Sequence, residues 1–232
     1  MNRVGEKNEE TRVNWLEKTL RELPAGSKIL DAGAGEQRFR KYCSHLEYVA
    51  QDFGKYDGVG DSKGLQTGKW DQTGLDIVSD IAAIPAPDKS FDVILCVEVL
   101  EHLPEPTLAL REFSRLLRNG GELILTTPFC SLTHFAPFHF HSGFNRYFFE
   151  THFAKFHLEI TEMTENGNFF EFLAQELRRA ETIAQQFAGT GFNPLEKAAR
   201  RILLSHLNRM SKKDRGSREL LHFGWMIRAV RK

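Results

Sequence analysis

The stretch Lys28-Ile29-Leu30-Asp31-Ala32-Gly33-Ala34-Gly35 decides how this chain is read. A short apolar run ends on an aspartate and passes directly into two glycines. The run predicts a buried strand. The glycines let the backbone turn sharply and let a ligand approach it. The spacing predicts a helix through Phe39, Cys43 and Leu46, whose first N–H groups would face the same ligand. A second strand follows over Glu47–Asp52. The third glycine of a dinucleotide fingerprint would fall on Arg38, which argues against NAD or FAD.

Working outward, Leu75–Asp80, Phe91–Val97 and Glu122–Thr127 read as further strands, the second of them with a continuous apolar run from Val93 as in a strand buried on both faces. Residues 54–74 read as an extended loop rich in Gly, Asp and Lys. A helix carrying Leu108, Phe113, Leu116 and Leu117 is expected to stop at Asn119-Gly120-Gly121. Val13, Leu16, Leu20 and Leu23 place an amphipathic helix before the first strand. Beyond Pro128 the spacing predicts a helix at 147–155, a strand from Leu158, helices at 169–188 and 194–210, and a last strand over Leu221–Val230. Alternation of strands and helices indicates an α/β fold with a doubly wound, mostly parallel sheet and ligand loops at the strands' carboxyl ends.

The 232 residues suffice for one such domain with additions. No segment reaches the roughly 20 apolar residues of a membrane span. The polar N-terminus does not read as a signal peptide. Cys43, Cys96 and Cys130 form no paired motif, which fits a reduced, cytoplasmic location. The 31 basic and 31 acidic side chains cancel, yet Leu195–Lys232 holds 11 Lys/Arg against three Asp/Glu. That basic region is either a solvated face or a surface for anionic lipid, nucleic acid or phosphorylated substrate.

Acidic residues stand at successive strand ends: Asp31, Asp52, Asp80 and Glu98. Asp52 lies 21 residues after Asp31, a distance suited to a carboxylate accepting from ribose hydroxyls. Together they form a negative rim for a cationic ligand carrying a ribose and an amino group.

With Ile29–Glu36, Asp52, Asp80-Ile81, Phe91–His102 and Leu116–Leu125 taken together, the chain resembles the class I S-adenosylmethionine-dependent methyltransferases, in the branch called methyltransferase type 11. The resemblance covers about residues 25–130. It implies a Rossmann-like sheet of seven strands, the last antiparallel, and S-adenosyl-L-methionine as cofactor. It implies that Asp31, Gly33, Ala34 and Gly35 pass under the methionine part. Asp52 and Phe53 would lie at the ribose, Asp80 and Ile81 at the adenine, and Glu98 beside the methionine end. His102 matches a histidine whose role in the family is usually structural. Two departures stand out: Gln37 replaces a frequent third glycine, and the long stretch between Asp52 and Asp80 lets Asp57 or Asp61 compete with Asp80.

The segment Phe129–Phe156 holds nine of the 19 phenylalanines, with His134, His139, His141 and His152. The acceptor is expected there. The family's His…Arg-Tyr/Phe pattern after the fifth strand matches His139…Arg146-Tyr147. His139, His141 and Tyr147 are therefore the catalytic candidates, and His134 and Arg146 the acceptor-binding ones. The bland reading is aromatic packing with histidines satisfied by the backbone. His139-Phe140-His141 spaces two imidazoles for a metal, but no Asp or Cys completes a set nearby, so no metal is expected.

A sulfonium methyl is already activated, so transfer needs in-line positioning of a nucleophile, and a base only where the acceptor must lose a proton. The expected acceptor is a small molecule or a lipid- or sugar-linked intermediate, methylated at oxygen. The nucleobase-amine pattern Asn/Asp-Pro-Pro-Tyr/Phe is missing where the chain reads Val97-Glu98-Val99-Leu100-Glu101-His102, which disfavours nucleic acid. A nicotinamide-dependent oxidoreductase and a non-catalytic module of the same fold remain the alternatives. The whole chain is read as one methyltransferase domain with an N-terminal helix in 1–24. The helices within 168–213 are read as an insertion serving as a lid or a homodimer contact, and the basic C-terminal region as a point of peripheral membrane contact.

Overall fold

A computed structural model describes residues 3–232, so Met1 and Asn2 lie outside the described residues. In chain order the elements are α1 (Asn8–Arg21), β1 (Lys28–Ala32), β2 (Glu47–Asp52), β3 (Ile77–Val78), β4 (Phe91–Val97), α2 (Pro106–Leu116), β5 (Leu117–Pro128), α3 (Arg146–Lys155), β6 (Leu158–Asn166), α4 (Phe169–Ala188), α5 (Pro194–Lys212) and β7 (Gly224–Arg231). The seven strands make one sheet in the order β3-β2-β1-β4-β5-β7-β6. β1 pairs in parallel with β2 and β4, and β4 with β5, whereas β7 runs antiparallel to β5. The order steps outward from β1 in both directions, so β1 and β4 flank the switch point, where ligands of open α/β sheets bind.

Two compact units divide the chain. The larger comprises Asn14–Thr164 and Gly224–Lys232. Its core unites Leu30, Ile94, Cys96, Leu123, Leu125 and Ile227 of the sheet with Ala109, Leu110, Phe113 and Leu116 of α2 and Phe149 and Phe153 of α3. Continuous burial of Val93–Cys96 explains the unbroken apolar run in β4, and helical spacing of the α2 side chains explains its amphipathic pattern.

The smaller unit comprises Glu165–Phe223 and the stretch before Asn14. Asn168 caps α4 by accepting from the N–H groups of Phe170 and Glu171. Gly189, at φ 66°, ends that helix in the left-handed conformation glycine tolerates best. Asn193 and Glu196 form a reciprocal capping box behind Pro194 at the start of α5. Glu181 of α4 pairs with Lys197 and Arg200 of α5. Val4, Ala174 and Leu204 bury a small core of their own.

Two local expectations fail. Residues after Gly35 form turns and a short 3-10 helix, Arg40–Tyr42, instead of an α-helix. Gln37 at φ 55° breaks the helical path, and Cys43 returns to the Arg40 carbonyl at 2.9 Å. Asn119-Gly120-Gly121 does not stop α2 either. α2 gives way at Leu117, and the three residues lie within β5 at a register shift opposite Phe91 and Val93, where Gly120 at φ 79° supports the irregular path.

Candidate active site

At the carboxyl end of β1 the N–H groups of Gly33 and Ala34 both donate to the Gln51 carbonyl at 2.9 Å, drawing the turn against β2. Gly33 has φ 80°, and a Cβ there would meet Val99 Cγ2 at 2.5 Å, so both conformation and space require glycine. Asp52 closes β2 and clamps this turn. Its Oδ2 accepts from the Gly35 N–H at 3.0 Å and its Oδ1 from the Gly54 N–H at 2.9 Å.

Asp31 is buried and accepts a short hydrogen bond from the Tyr48 hydroxyl. Burial pushes its carboxyl up to about 7, against the lowering Tyr48 bond, and the neighbouring Asp52 charge adds to the rise. Asp80 is exposed beyond β3 and accepts from the Ala82 N–H, with Ile81 buried beside it. Asp57 and Asp61 cap turns inside their own loop, Asp57 through the N–H groups of Val59 and Gly60 and Asp61 through that of Lys63. Of the three, Asp80 alone follows a strand beside β2, where Val78 is in register with Asp52. Glu98 is half-buried after β4 at φ 53°, a conformation costly for a side chain with a Cβ, and its N–H donates to Thr126 O at 2.9 Å.

Residues 53–76 fold as an aromatic flap that the glycine and charge content of the stretch did not reveal. Trp70 lies against Gly35, where a Cβ would meet Trp70 Cζ3 at 3.0 Å. Tyr56 stacks on Phe135 with centroids 4.9 Å apart and meets Trp70 edge-on at 5.0 Å, while Phe53 meets Phe138 at 5.0 Å. Leu65 bridges His134 in parallel fashion. The flap thus packs on the loop after β5. Its signal in the sequence was Tyr56 and Trp70, two large aromatics in an otherwise small and polar run.

A seven-stranded, mostly parallel sheet with β7 antiparallel is what the sequence resemblance implies. A family model for a methyltransferase domain matches residues 30–125. Residues 30–125 are thus similar to a methyltransferase domain. Over 107 residues it is 35% identical to a ubiquinone biosynthesis O-methyltransferase of Xanthomonas axonopodis pv. citri, covering 45% of this chain and 44% of that protein. The chain thus spans under half the length of this curated relative. Among solved structures, the cyclase SpnF shares the fold at a TM-score of 0.57 and 17% identity, over 98% of this chain and 83% of that one. Phosphoethanolamine N-methyltransferase 2 of Haemonchus contortus, in complex with S-adenosyl-L-methionine, does so at 0.52 and 17%, over 95% and 52%.

S-adenosyl-L-methionine, present in the Haemonchus structure, is the donor that the sequence resemblance implies, and the carboxylates of the site suit its chemistry. Carboxylates at four strand ends suit its positive charge and hydroxyls, while Val99 and Trp70 lie close against the glycine turn. Of the acceptor-side candidates, the structure brings His134 and His139 together, with ring centroids 4.7 Å apart, and sets His102 beside both at 4.7 and 6.0 Å. His139 Nε2 meets Ser131 Oγ at 3.3 Å. Burial, then the neighbouring His134 and His141, lowers the His139 pKa, which favours the neutral ring. His141 faces the Pro104 carbonyl at 3.4 Å, so His139 and His141 point to different partners and do not act as a paired metal chelate. Tyr147 and Arg146 open α3 at the surface: Tyr147 is 68% exposed, and Arg146 is engaged by Glu150 at 2.8 Å. Glu101 is a residue that sequence reasoning missed. It is wholly buried, and its carboxylate faces both His102 and His134.

Proposed function

We propose that this methyltransferase methylates an oxygen of a small-molecule or lipid- or sugar-linked acceptor. The observation that carries the reading is the pairing of a clamped, acid-rimmed glycine turn with a neutral histidine on the aromatic loop after β5. The 35% identical Xanthomonas relative, named as an O-methyltransferase, supports oxygen as the target.

When bound, S-adenosylmethionine supplies a methyl group on a sulfonium, already activated for displacement. The protein's share is binding and orientation. Asp52 and Asp80 would hold the nucleoside hydroxyls and amine, while Asp31 and Glu98 would face the positively charged end. Trp70 covers Gly35, with Tyr56 and Phe135 packed against it, a cover that would keep water from the polar contacts there. His139, kept neutral, is available to take a proton from an acceptor hydroxyl as general base. His134 would orient the acceptor from the same loop. His141, Tyr147 and Arg146 lie closer to the surface and suit contacts with the remote part of the acceptor.

The exposed face of α5 supports a lipid-linked acceptor. Leu195, Ile202 and Leu203 project at helical spacing, Ile202 with 70% exposure, beside Arg201, Arg209, Lys212 and Lys213. An apolar stripe bordered by cations is suited to an anionic membrane surface.

The test is calorimetric binding of S-adenosylmethionine and S-adenosylhomocysteine, followed by turnover on phenolic acceptors with and without a polyprenyl tail. Micromolar cofactor binding with oxygen methylation is expected. Tight NAD binding with no response to either cofactor would overturn the reading, and methylation confined to amines would overturn the oxygen assignment.

A further inference from the structure

We propose that Glu101, His102 and His134 form a binding site for one divalent cation of the zinc class, joining the end of β4 to the loop after β5. One donor atom from each residue lies within 4.8 Å of the others. Glu101 Oε1 is 3.7 Å from His102 Nε2 and 3.9 Å from His134 Nε2.

The hydrogen bonds behind these rings set which nitrogen faces inward. His102 Nδ1 lies 2.6 Å from the Phe138 carbonyl, and His134 Nδ1 lies 2.8 Å from the Leu132 carbonyl. A carbonyl only accepts, so each Nδ1 carries the proton and donates it. In the neutral ring each Nε2 then carries the lone pair, on the side of the Glu101 carboxylate. Backbone carbonyls that fix the outer nitrogen of an imidazole are the usual support of metal-ligating histidines.

Three potential donors that face one another at this spacing suit a cation held among them. His102 Nε2 is buried with no hydrogen-bond partner among the described residues. Glu101, with none of its surface exposed, brings a formal negative charge that a divalent ion would balance.

The spacing fits. Tetrahedral donors at about 2.0–2.1 Å from zinc stand about 3.4 Å apart, so the observed separations close with small side-chain adjustments. Two imidazoles and one carboxylate suit Zn²⁺ or Co²⁺ better than Ca²⁺ or Mg²⁺, which prefer oxygen donors. An ion here would pin the His134 loop, and with it Phe135 and the flap stacked on it, to the end of β4.

The experiment uses the full chain carrying Cys130→Ser, which removes the one exposed thiol. The protein is stripped with chelator, equilibrated with Zn²⁺ or Co²⁺, desalted and assayed for metal, with Co²⁺ absorption reporting coordination. About one ion per chain is expected, with a zinc-dependent rise in Tm. His134→Ala should weaken uptake by at least about tenfold, and Glu101→Gln, which keeps the side chain's shape, should do the same. His206→Ala on α5 should leave uptake unchanged. Metal content well below one ion per chain, or equal uptake by the wild type and both ligand variants, overturns the proposal. Neither readout depends on methyl transfer, so the site stands or falls independently of the acceptor assignment.

Discussion

The Asp52 carboxylate holds the Gly35 N–H at 3.0 Å and, with its other oxygen, the Gly54 N–H at 2.9 Å. One side chain thus fixes the entry of the flap and the ligand turn together. Asp52→Ala leaves two backbone donors without their acceptor, at a cost of about 1–3 kcal/mol in stability. It should also weaken S-adenosylmethionine binding strongly. Asp80→Ala, at an exposed site, should weaken binding with little change in Tm. Calorimetry and thermal unfolding on the two variants separate the effects. Unchanged affinity in both would exclude these carboxylates from the cofactor site.

Asp31 makes stability fall as pH rises. Its folded pKa, about 7, lies above the ordinary 3.8 because burial penalises the charge. A raised carboxyl contributes stability fully below about pH 4, and the contribution is lost as pH climbs through about 7. The largest loss is about 4 kcal/mol. Asp31→Asn should flatten this slope in urea unfolding between pH 5 and pH 8. Binding of a cationic ligand near Asp31 favours the carboxylate, so affinity for S-adenosylmethionine should rise with pH over the same window. Parallel slopes in wild type and variant would refute both statements.

Gln37 occupies a left-handed position at φ 55° and anchors its amide to the Thr73 carbonyl at 3.0 Å. Gln37→Gly should relieve about 1 kcal/mol of backbone strain while losing that anchor, so its net effect on Tm should be small. Gln37→Val, branched at Cβ, should destabilise clearly. Equal melting temperatures for the Val variant and the wild type would show that the turn takes another path.

The α5 face should bind anionic vesicles and release them at high salt, since cations bordering the apolar stripe supply the attraction. Ile202→Ser combined with Leu203→Ser should abolish co-sedimentation. Failure to bind, together with a mass that doubles with concentration and is halved in the double variant, would instead assign the face to a homodimer.

Much of the fold was legible because it rests on local chemistry. The β4 run from Val93 to Cys96 is apolar because both its faces are covered, and the Asn193–Glu196 box announces α5 within four residues. The turn after Gly35 was misread because Phe39, Cys43 and Leu46 satisfy helical spacing while Gln37 leaves the helical path, a conformation that side-chain type does not announce. Asp52 was legible as a strand-end acid, although its grip on two backbone amides was not. Glu101, Trp70 and Tyr56 escaped for one reason: each acquires its role from the loop after β5, far away in sequence, and periodicity records only neighbours.

β7 occupies an interior lane of the sheet, between β5 and β6, although it is formed by residues 224–231. During synthesis every other strand emerges first. Until that segment leaves the ribosome, β5 presents seven positions, from Glu122 to Pro128, without the partner they have in the finished sheet. An open, apolar edge of this kind invites pairing with another chain. Chains that stop short of Gly224 should therefore depend on chaperones far more than chains that include β7.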